Sequence, residues 1–224
     1  MKNSSLTRSW VALNSTTFGT YLVIAMYVVG FIGLTFEGLR PFFEPLIPLN
    51  LIGTLAILLF FHQEWNRTFV FVACIVALAG FWVEVLGVQT KQIFGDYQYE
   101  YALGLKLWDV PVVIACNWLL LVYATSGMVY TWQIPKNFMP ATAALLMVGL
   151  DFWIEPVAIK YGFWSWKSNT VPLQNYVAWF LVSWGFTWLF FNTKFSKYNP
   201  LALTIYLANL GFFLAHNFVI WLKK

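Results

Sequence analysis

The sequence predicts an all-α membrane protein, a polytopic transmembrane helix bundle of about seven spans. Of its 224 residues, 60% are hydrophobic and only 10% are charged, whereas a soluble domain carries roughly a quarter charged residues. Aromatic residues make up 21% and include 13 tryptophans; part of this excess is typical of the belts in which Trp and Tyr lie at a membrane interface. We expect one integral-membrane domain covering residues 1–224.

A transmembrane helix needs about 20 mainly apolar residues. Seven stretches fit, and the predicted spans are 18–37, 46–62, 68–86, 110–131, 138–155, 175–192 and 200–221. The polar segment before the first span is not followed by a convincing cleavage site, so we interpret the first span as a retained helix rather than a signal peptide.

Residues that cap or stop helices agree with these bounds. Asn199, which precedes a proline, and also Asp109 and Asn137 are each expected to cap the helix that follows. Pro156 directly follows Glu155 and predicts that the fifth span ends there.

The connection between the third and fourth spans, residues 87–109, is the one long loop in this prediction. A structureless loop of this size is uncommon unless it acts as a lid or a re-entrant segment. It carries Tyr97, Tyr99 and Tyr101 at alternating positions. These tyrosines are predicted either to anchor the loop at the interface or to cover a pocket.

Acidic residues fall near the same ends of several predicted spans. Because alternate spans run in the same direction, the polar groups expected to meet at one leaflet are Glu37, Glu84, Asp109, Asp151, Glu155, Asn175 and His216. At a rise of about 1.5 Å per residue, Asp151 lies roughly 20 Å into its helix and Glu84 roughly 24 Å into its own. Both depths fall within a hydrocarbon core about 30 Å thick.

Acids inside a membrane are costly and mark functional sites. Asp151 and Glu155 are four residues apart and share a helix face; because two neighbouring carboxylates cannot both ionise cheaply, one is expected to stay protonated and to serve as a general acid. We predict three catalytic residues, with Asp151 as proton donor, Glu84 as the group that binds and deprotonates water, and Glu155 as their neighbour. The alternative for Glu155 is a helix end that faces headgroup water, and the alternative for His216 is a structural hydrogen bond.

Other chemistries fit the sequence less well. Cys74 and Cys116 lie in apolar stretches and are interpreted as small core residues. His62 and His216 fall at opposite faces, and without a histidine cluster or a cysteine pair we predict no metal and no cofactor. The net charge of +4 is scattered along the chain, which predicts no nucleic-acid partner.

Two blocks of the sequence are far more specific than its hydropathy. The first, at 81–99, reads F-W-V-E-V-L-G-V-Q-T-K-Q-I-F-G-D-Y-Q-Y. The second, at 150–158, reads L-D-F-W-I-E-P-V-A, and it is followed by W-S-W at 164–166 and by P-L-Q-N-Y-V-A-W ending at Trp179. Together these blocks resemble the carotenoid 1,2-hydratase family of the CruF type over most of residues 80–180. Many relatives have glycine where this chain has Lys91, which is expected to alter the loop geometry or the charge at the pocket mouth.

The resemblance implies a membrane-embedded hydro-lyase of carotenoid biosynthesis. Such an enzyme adds water to the terminal double bond of an acyclic carotenoid ψ-end, lycopene- or γ-carotene-like, and leaves a tertiary alcohol. The implied fold is an all-α bundle without cofactor or metal. The implied partners are the carotenoid substrate, water and membrane lipid, with other carotenoid enzymes as candidate associates, and the expected location is the bacterial inner membrane.

This chemistry agrees with the residues found independently. Protonating such a double bond gives a tertiary cation, which an aromatic face stabilises by about 0.5 to 2 kcal/mol. We predict substrate-binding roles for aromatic and polar residues near the acids: Trp82, Tyr97, Tyr99, Asp109, Asn117, Trp118, Trp153, Trp164, Trp166, Asn175 and His216.

Three other functions stay open at this point. A ψ-end cyclase would use the same protonation but exclude water, and the gathering of polar groups favours water capture. A proton-coupled transporter usually spreads its polar groups across both leaflets, whereas here they crowd one. A retinal protein would need a lysine deep in a late helix, and the last predicted span contains none. Lys and Arg are shared almost equally between the two faces, so the positive-inside rule does not set the orientation.

Overall fold

The computed structural model describes the backbone of residues 3–223 and the side chains of residues 15–223. The helices in this part of the chain are α1 (Asn3–Thr35), α2 (Arg40–Phe43), α3 (Ile47–Phe60), α4 (Arg67–Thr90), α5 (Val113–Tyr130), α6 (Met139–Lys160), α7 (Leu173–Asn192) and α8 (Ala202–Leu222), with a 3-10 turn at Glu44–Leu46. The strands are β1 (Tyr97–Tyr99), β2 (Lys106–Leu107), β3 (Val110–Pro111) and β4 (Trp164–Trp166). The predicted all-α fold class is confirmed.

Six helical segments among the described residues are long and apolar enough to cross a membrane. They are Ser15–Thr35, Arg40–Phe60, Arg67–Thr90, Val113–Tyr130, Met139–Lys160 and Ala202–Leu222. The second of these joins α2, the 3-10 turn and α3 into one segment. All six correspond to predicted spans.

The remaining predicted span corresponds to α7, which has 20 residues and is not among these six segments. Asn175, Ser183 and Thr187 are buried on it. Thr187 Oγ1 donates to the carbonyl of Pro140 near the start of α6 (2.9 Å), and Asn175 Nδ2 donates to Asp151 much further along the same helix (2.9 Å). Helix α7 therefore runs antiparallel to α6, and these three polar side chains face protein.

Helix α5 is the centre of the bundle, since α3, α4, α6, α7 and α8 all pack against it. Trp118 and Tyr123 on this helix are fully buried although both are large. Helix α1 packs mainly on α8, and α3 packs mainly on α5. The functional groups described below lie between this central helix and its neighbours.

Three helix ends differ from the prediction. Pro156 lies inside α6 and not at its end, because the helix continues to Lys160 while packing along α7, its most extensive partner. Glu155 is consequently buried, with 2% exposure, and the alternative that it faces headgroup water is wrong. Asp109 and Asn137 do not cap α5 and α6, whose first turns receive no side-chain cap.

The predicted loop 87–109 begins later than expected, because α4 continues to Thr90. Lys91 ends the helix with φ of 60°, in the left-handed region that glycine adopts without steric cost, and its Nζ lies 2.9 Å from Asp96 Oδ1. After this turn β1 pairs antiparallel with β4, with Tyr97 opposite Trp166. The pairing places a two-stranded sheet over the ends of α4 and α6.

Candidate active site

Glu84 is enclosed by three hydrogen-bond donors. It lies on α4 with 3% exposure, and its Oε2 accepts from the hydroxyls of Tyr97 (2.5 Å) and Tyr99 (2.9 Å). Its Oε1 accepts from the indole N–H of Trp118 (3.2 Å) on α5. Both tyrosines come from β1, where alternate residues point to the same side. Strand β1 therefore covers this carboxyl group with two hydroxyls at once.

The two tyrosines keep their protons at any ordinary pH. Burial away from water raises the pKa of Tyr97 and of Tyr99 well above the usual value for a phenol, and the nearby carboxylate of Glu84 raises both further. They therefore act as hydrogen-bond donors toward Glu84. The sequence analysis left two alternatives for the tyrosines of this segment, an interfacial anchor and a pocket cover. Tyr101 is 71% exposed, whereas Tyr97 and Tyr99 are buried and donate to Glu84; the three do not line the cavity described below.

A second polar group lies on α6 and α7. Asn175 Nδ2 donates to Asp151 Oδ2 (2.9 Å) and reaches Glu155 Oε1 (3.3 Å). The Oε2 of Glu155 accepts from the indoles of Trp164 (3.0 Å) and Trp166 (2.9 Å), both on β4. Because β4 pairs with β1, the sheet supplies donors to Glu155 and to Glu84 from its two strands. Asn175 thus bridges Asp151 and Glu155, the two acids that were predicted to share one helix face.

Asp151 differs from the other two acids in one respect. It is 1% exposed, and its Oδ1 has no hydrogen-bond partner, whereas each oxygen of Glu84 and of Glu155 accepts a hydrogen bond. A buried oxygen of this kind is unusual, because most buried polar atoms are paired. The unpaired atom belongs to a residue that also lines a cavity.

Asp151 lines a cavity of about 380 Å³, within the size range of small-molecule sites. The walls are mostly apolar side chains from α1, α3, α5, α6, α7 and α8, and Leu103, Phe163 and Trp164 from the connecting segments also contribute. Among the residues predicted from sequence, Asn117, Asp151 and Trp164 line this cavity. Asp151 is the one acid among the described residues that line it.

Four cavity residues with polar side-chain groups were missed by the sequence analysis. Tyr27, on α1, accepts a hydrogen bond at its hydroxyl from Asn209 Nδ2 on α8 (2.7 Å), and both residues line the cavity with Asn50 and Trp179. Asn209 lies within an apolar helix, and that signal could have marked it. Trp179 ends one of the motifs that carry the family resemblance, but nothing in the sequence indicated that it lines the cavity.

Several predicted substrate-binding residues lie away from the cavity. Trp118 stacks behind the cavity residue Trp179 with ring centroids 4.6 Å apart. Trp82 is exposed and packs against Trp108 (4.7 Å), and exposed Asp109 accepts a hydrogen bond from Gln89.

Two further predicted residues lie toward α8. Trp153 is 37% exposed, and its carbonyl accepts a hydrogen bond from Asn217 (2.7 Å). His216 is fully buried, and its Nδ1 lies 3.1 Å from the hydroxyl of Tyr161. Neither side chain reaches the cavity wall, so their substrate-binding roles stay predictions.

The sulfur and metal predictions concern other parts of the molecule. Cys116 is half-buried on α5, whereas Cys74 is exposed on α4 and is not a core residue. Within the described part of the chain, no three His, Cys, Asp or Glu side chains are placed so that they could hold a metal ion.

The sequence matches the family described as carotenoid biosynthesis protein over residues 45–223. The match covers about four fifths of the chain and includes α3 to α8 with both sheets. The comparisons with curated proteins and with solved structures returned no match. The matched region contains the three acids and all of their hydrogen-bond donors.

Proposed function

The chain belongs to the carotenoid biosynthesis protein family, and we propose that it is a hydratase of acyclic carotenoid ends. In this proposal a lycopene- or γ-carotene-like molecule places its terminal double bond in the cavity, and the protein adds water to give a tertiary alcohol. The enzyme acts within the inner membrane of a bacterium, where its substrate is dissolved.

The observation that carries the proposal is that Asp151, a residue that lines an apolar cavity, has an oxygen (Oδ1) without a hydrogen-bond partner. A protonated carboxylic acid in that position has its O–H free to point at a hydrocarbon, because no protein acceptor competes for it. Asn175 holds the other oxygen (2.9 Å). The acid is therefore oriented, as a proton donor must be.

The proposed reaction has three steps: protonation of the double bond, addition of water and loss of a proton. Asp151 transfers its proton to the less substituted carbon of the terminal double bond, and the π electrons form the new C–H bond. The positive charge develops on the tertiary carbon, to which a water oxygen then bonds. Loss of one proton from that oxygen to a carboxylate leaves the alcohol and restores the acid.

The cavity wall supports the charged intermediate. Trp164 and Trp179 line it with their rings, and aromatic faces attract a nearby cation by about 0.5 to 2 kcal/mol each. The amides of Asn50 and Asn117 also line the cavity and offer hydrogen bonds to the attacking water. Aromatic and amide groups are thus both available within one space.

We assign the final proton transfer to the Asp151 carboxylate, since it already faces the cavity after giving up its proton. The sequence analysis predicted Glu84 for this step, and our proposal departs from it because both oxygens of Glu84 already accept hydrogen bonds from Tyr97, Tyr99 and Trp118. In our proposal Glu84 is a positioning residue. It holds the indole of Trp118 (3.2 Å), which in turn supports Trp179.

The test is to express the protein in a bacterium that makes lycopene and to weigh the pigments. We expect a pigment heavier by one water for each modified end, and growth in oxygen-18 water should place the heavy isotope in that pigment. Cells with the empty vector provide the control. An isomer of unchanged mass would instead favour a cyclase, and unchanged pigment with lycopene and γ-carotene would overturn the proposal.

A further inference from the structure

Some side chains that line the cavity are also exposed on the outside of the bundle. Val29 on α1 is 52% exposed and Leu49 on α3 is 60% exposed, and both line the cavity. A side chain that lines a cavity while remaining exposed lies at its mouth. The mouth therefore lies between α1 and α3.

The packing of glycines against neighbouring side chains sets the limits of this opening. Toward one end, Met26 Cε lies so close to Gly53 that a Cβ there would be only 3.2 Å away, so α1 and α3 touch. Toward the other end, Phe43 packs onto Gly33 where no Cβ would fit, so α2 touches α1. Between these contacts an added Cβ on Gly30 would meet only Phe212, at 3.7 Å.

The opening is tall enough for a hydrocarbon chain. Met26 and Gly33 are seven residues apart, which is roughly 10 Å along a helix, whereas carbon atoms in contact are about 3.5–4.0 Å apart. The rest of the bundle explains the gap, because α1 packs on α8 and α3 on α5, while α1 and α3 contact each other only lightly.

The opening lies beside a helix that is long and apolar enough to cross a membrane. Gly30 is five residues from the end of the apolar segment Ser15–Thr35, or roughly 8 Å along its axis, so the mouth lies within the hydrocarbon depth of that segment. Its rim residues Val29 and Leu49 are apolar. Behind them the same cavity reaches Asp151.

We infer that this opening, the α1–α3 window, admits a polyene sideways from the bilayer, end first. The inference rests on the proposed function. The chain terminus reaches Asp151, and the remaining hydrocarbon stays in the lipid. The window thus selects linear hydrocarbons with an acyclic terminus and places no limit on the length of chain beyond it.

The test blocks the window with Val29→Trp combined with Leu49→Trp. The matched control combines Val28→Trp and Ile52→Trp, at exposed positions on the same two helices that do not line the cavity. We expect the window variant to convert membrane-dissolved lycopene at least tenfold more slowly and the control to stay within twofold. Gly30→Leu, which fills the mouth from one side, is the second blocking variant if the tryptophan pair folds poorly.

Binding is measured separately from turnover. In an Asp151→Asn background, the lycopene that co-purifies with the protein is quantified by its absorbance. We expect the window variant to lose this pigment and the control to keep it. Normal conversion by both blocking variants would overturn the window and leave the function standing, whereas wild-type protein that retains lycopene without converting it would overturn the function alone. Wild-type protein that neither retains nor converts lycopene would overturn both.

Discussion

The two ends of the bundle both bury polar side chains, but they do so differently. At one end, Asp151 has an oxygen without a partner beside a cavity. At the other end, His62 lies 2.5 Å from the hydroxyl of Tyr123 through Nδ1 and 2.8 Å from the carbonyl of Glu64 through Nε2. Asn199 donates to the same tyrosine hydroxyl (3.0 Å).

This difference distinguishes a candidate reaction site at the acid end from a group of side chains at the other end that holds segments of the chain together. The His62 cluster is defined as His62, Tyr123 and Asn199. It connects α5 to the segments before α4 and α8, because the side chains of His62 and Asn199 both form hydrogen bonds with the Tyr123 hydroxyl. Its members do not line the cavity. Changes at the acid end should therefore alter activity with little loss of stability, whereas changes in the His62 cluster should do the reverse.

Asp151→Asn should have the largest effect on activity. The variant cannot donate the proton, and general acid catalysis typically contributes about 10²–10⁴-fold, so hydration should fall by that factor. The fold should persist, because an asparagine oxygen can still accept from Asn175. Initial rates and thermal unfolding in detergent measure the two effects, with the exposed Glu37→Gln as control. Near-native hydration by folded Asp151→Asn would remove Asp151 from the mechanism.

Glu84→Gln should lower both stability and activity, in contrast to Asp151→Asn. Three donors converge on Glu84, and the NH₂ group of a glutamine would face at least one of them. A buried donor left unpaired costs about 1–3 kcal/mol. In a double-mutant cycle on unfolding free energy, the cost should shrink when Tyr99→Phe removes one donor. A fully stable but inactive Glu84→Gln would instead give Glu84 the role of base.

Glu155→Gln should reduce activity by about tenfold, less than Asp151→Asn. Glu155 accepts from the indoles of Trp164 and Trp166, and a hydrogen bond to a charged group contributes about 1.5–3 kcal/mol. Weakening these bonds loosens the Trp164 wall of the cavity. Steady-state kinetics with lycopene should show the change; activity as low as that of Asp151→Asn would make Glu155 the proton donor.

Tyr123→Phe should destabilise the protein and leave turnover by the folded fraction unchanged. Its hydroxyl serves both His62 and Asn199, so its loss should cost about 1–3 kcal/mol in unfolding free energy. Tyr130→Phe, at an exposed position on the same helix, should stay within about 0.5 kcal/mol. Reduced turnover by stable Tyr123→Phe protein would show that the His62 cluster also serves the reaction.

The smallest effect should be a pH dependence that comes from His62. Burial lowers the pKa of His62 below its ordinary value of 6.5, so the unfolded chain binds a proton first and stability falls as the pH drops below about 6.5. His62→Gln, which stays neutral, should lack this part of the decline. Thermal unfolding between about pH 5 and 7.5 compares the two proteins, and parallel curves would contradict the assignment.

Hydropathy and residue spacing alone predicted the helix bundle, the burial of Glu84 and Asp151, and the pairing of Asp151 with Glu155. These features depend on distances along one helix, which a sequence specifies directly. The resemblance added carotenoid chemistry through the blocks around Glu84 and Asp151, and the match over residues 45–223 confirms the coarser assignment to carotenoid biosynthesis.

Only the tertiary structure decided which of the three acids has an oxygen without a hydrogen-bond partner. Sequence specifies depth along a helix, but the partner that a side chain meets depends on helix rotation and on strands that pair across long separations, such as Tyr97 with Trp166. That pairing brings donors to Glu84 and Glu155 and leaves Asp151 beside the cavity. The same reason explains why Tyr27 and Asn209, 182 residues apart, were missed: their contact exists only because α1 and α8 pack together.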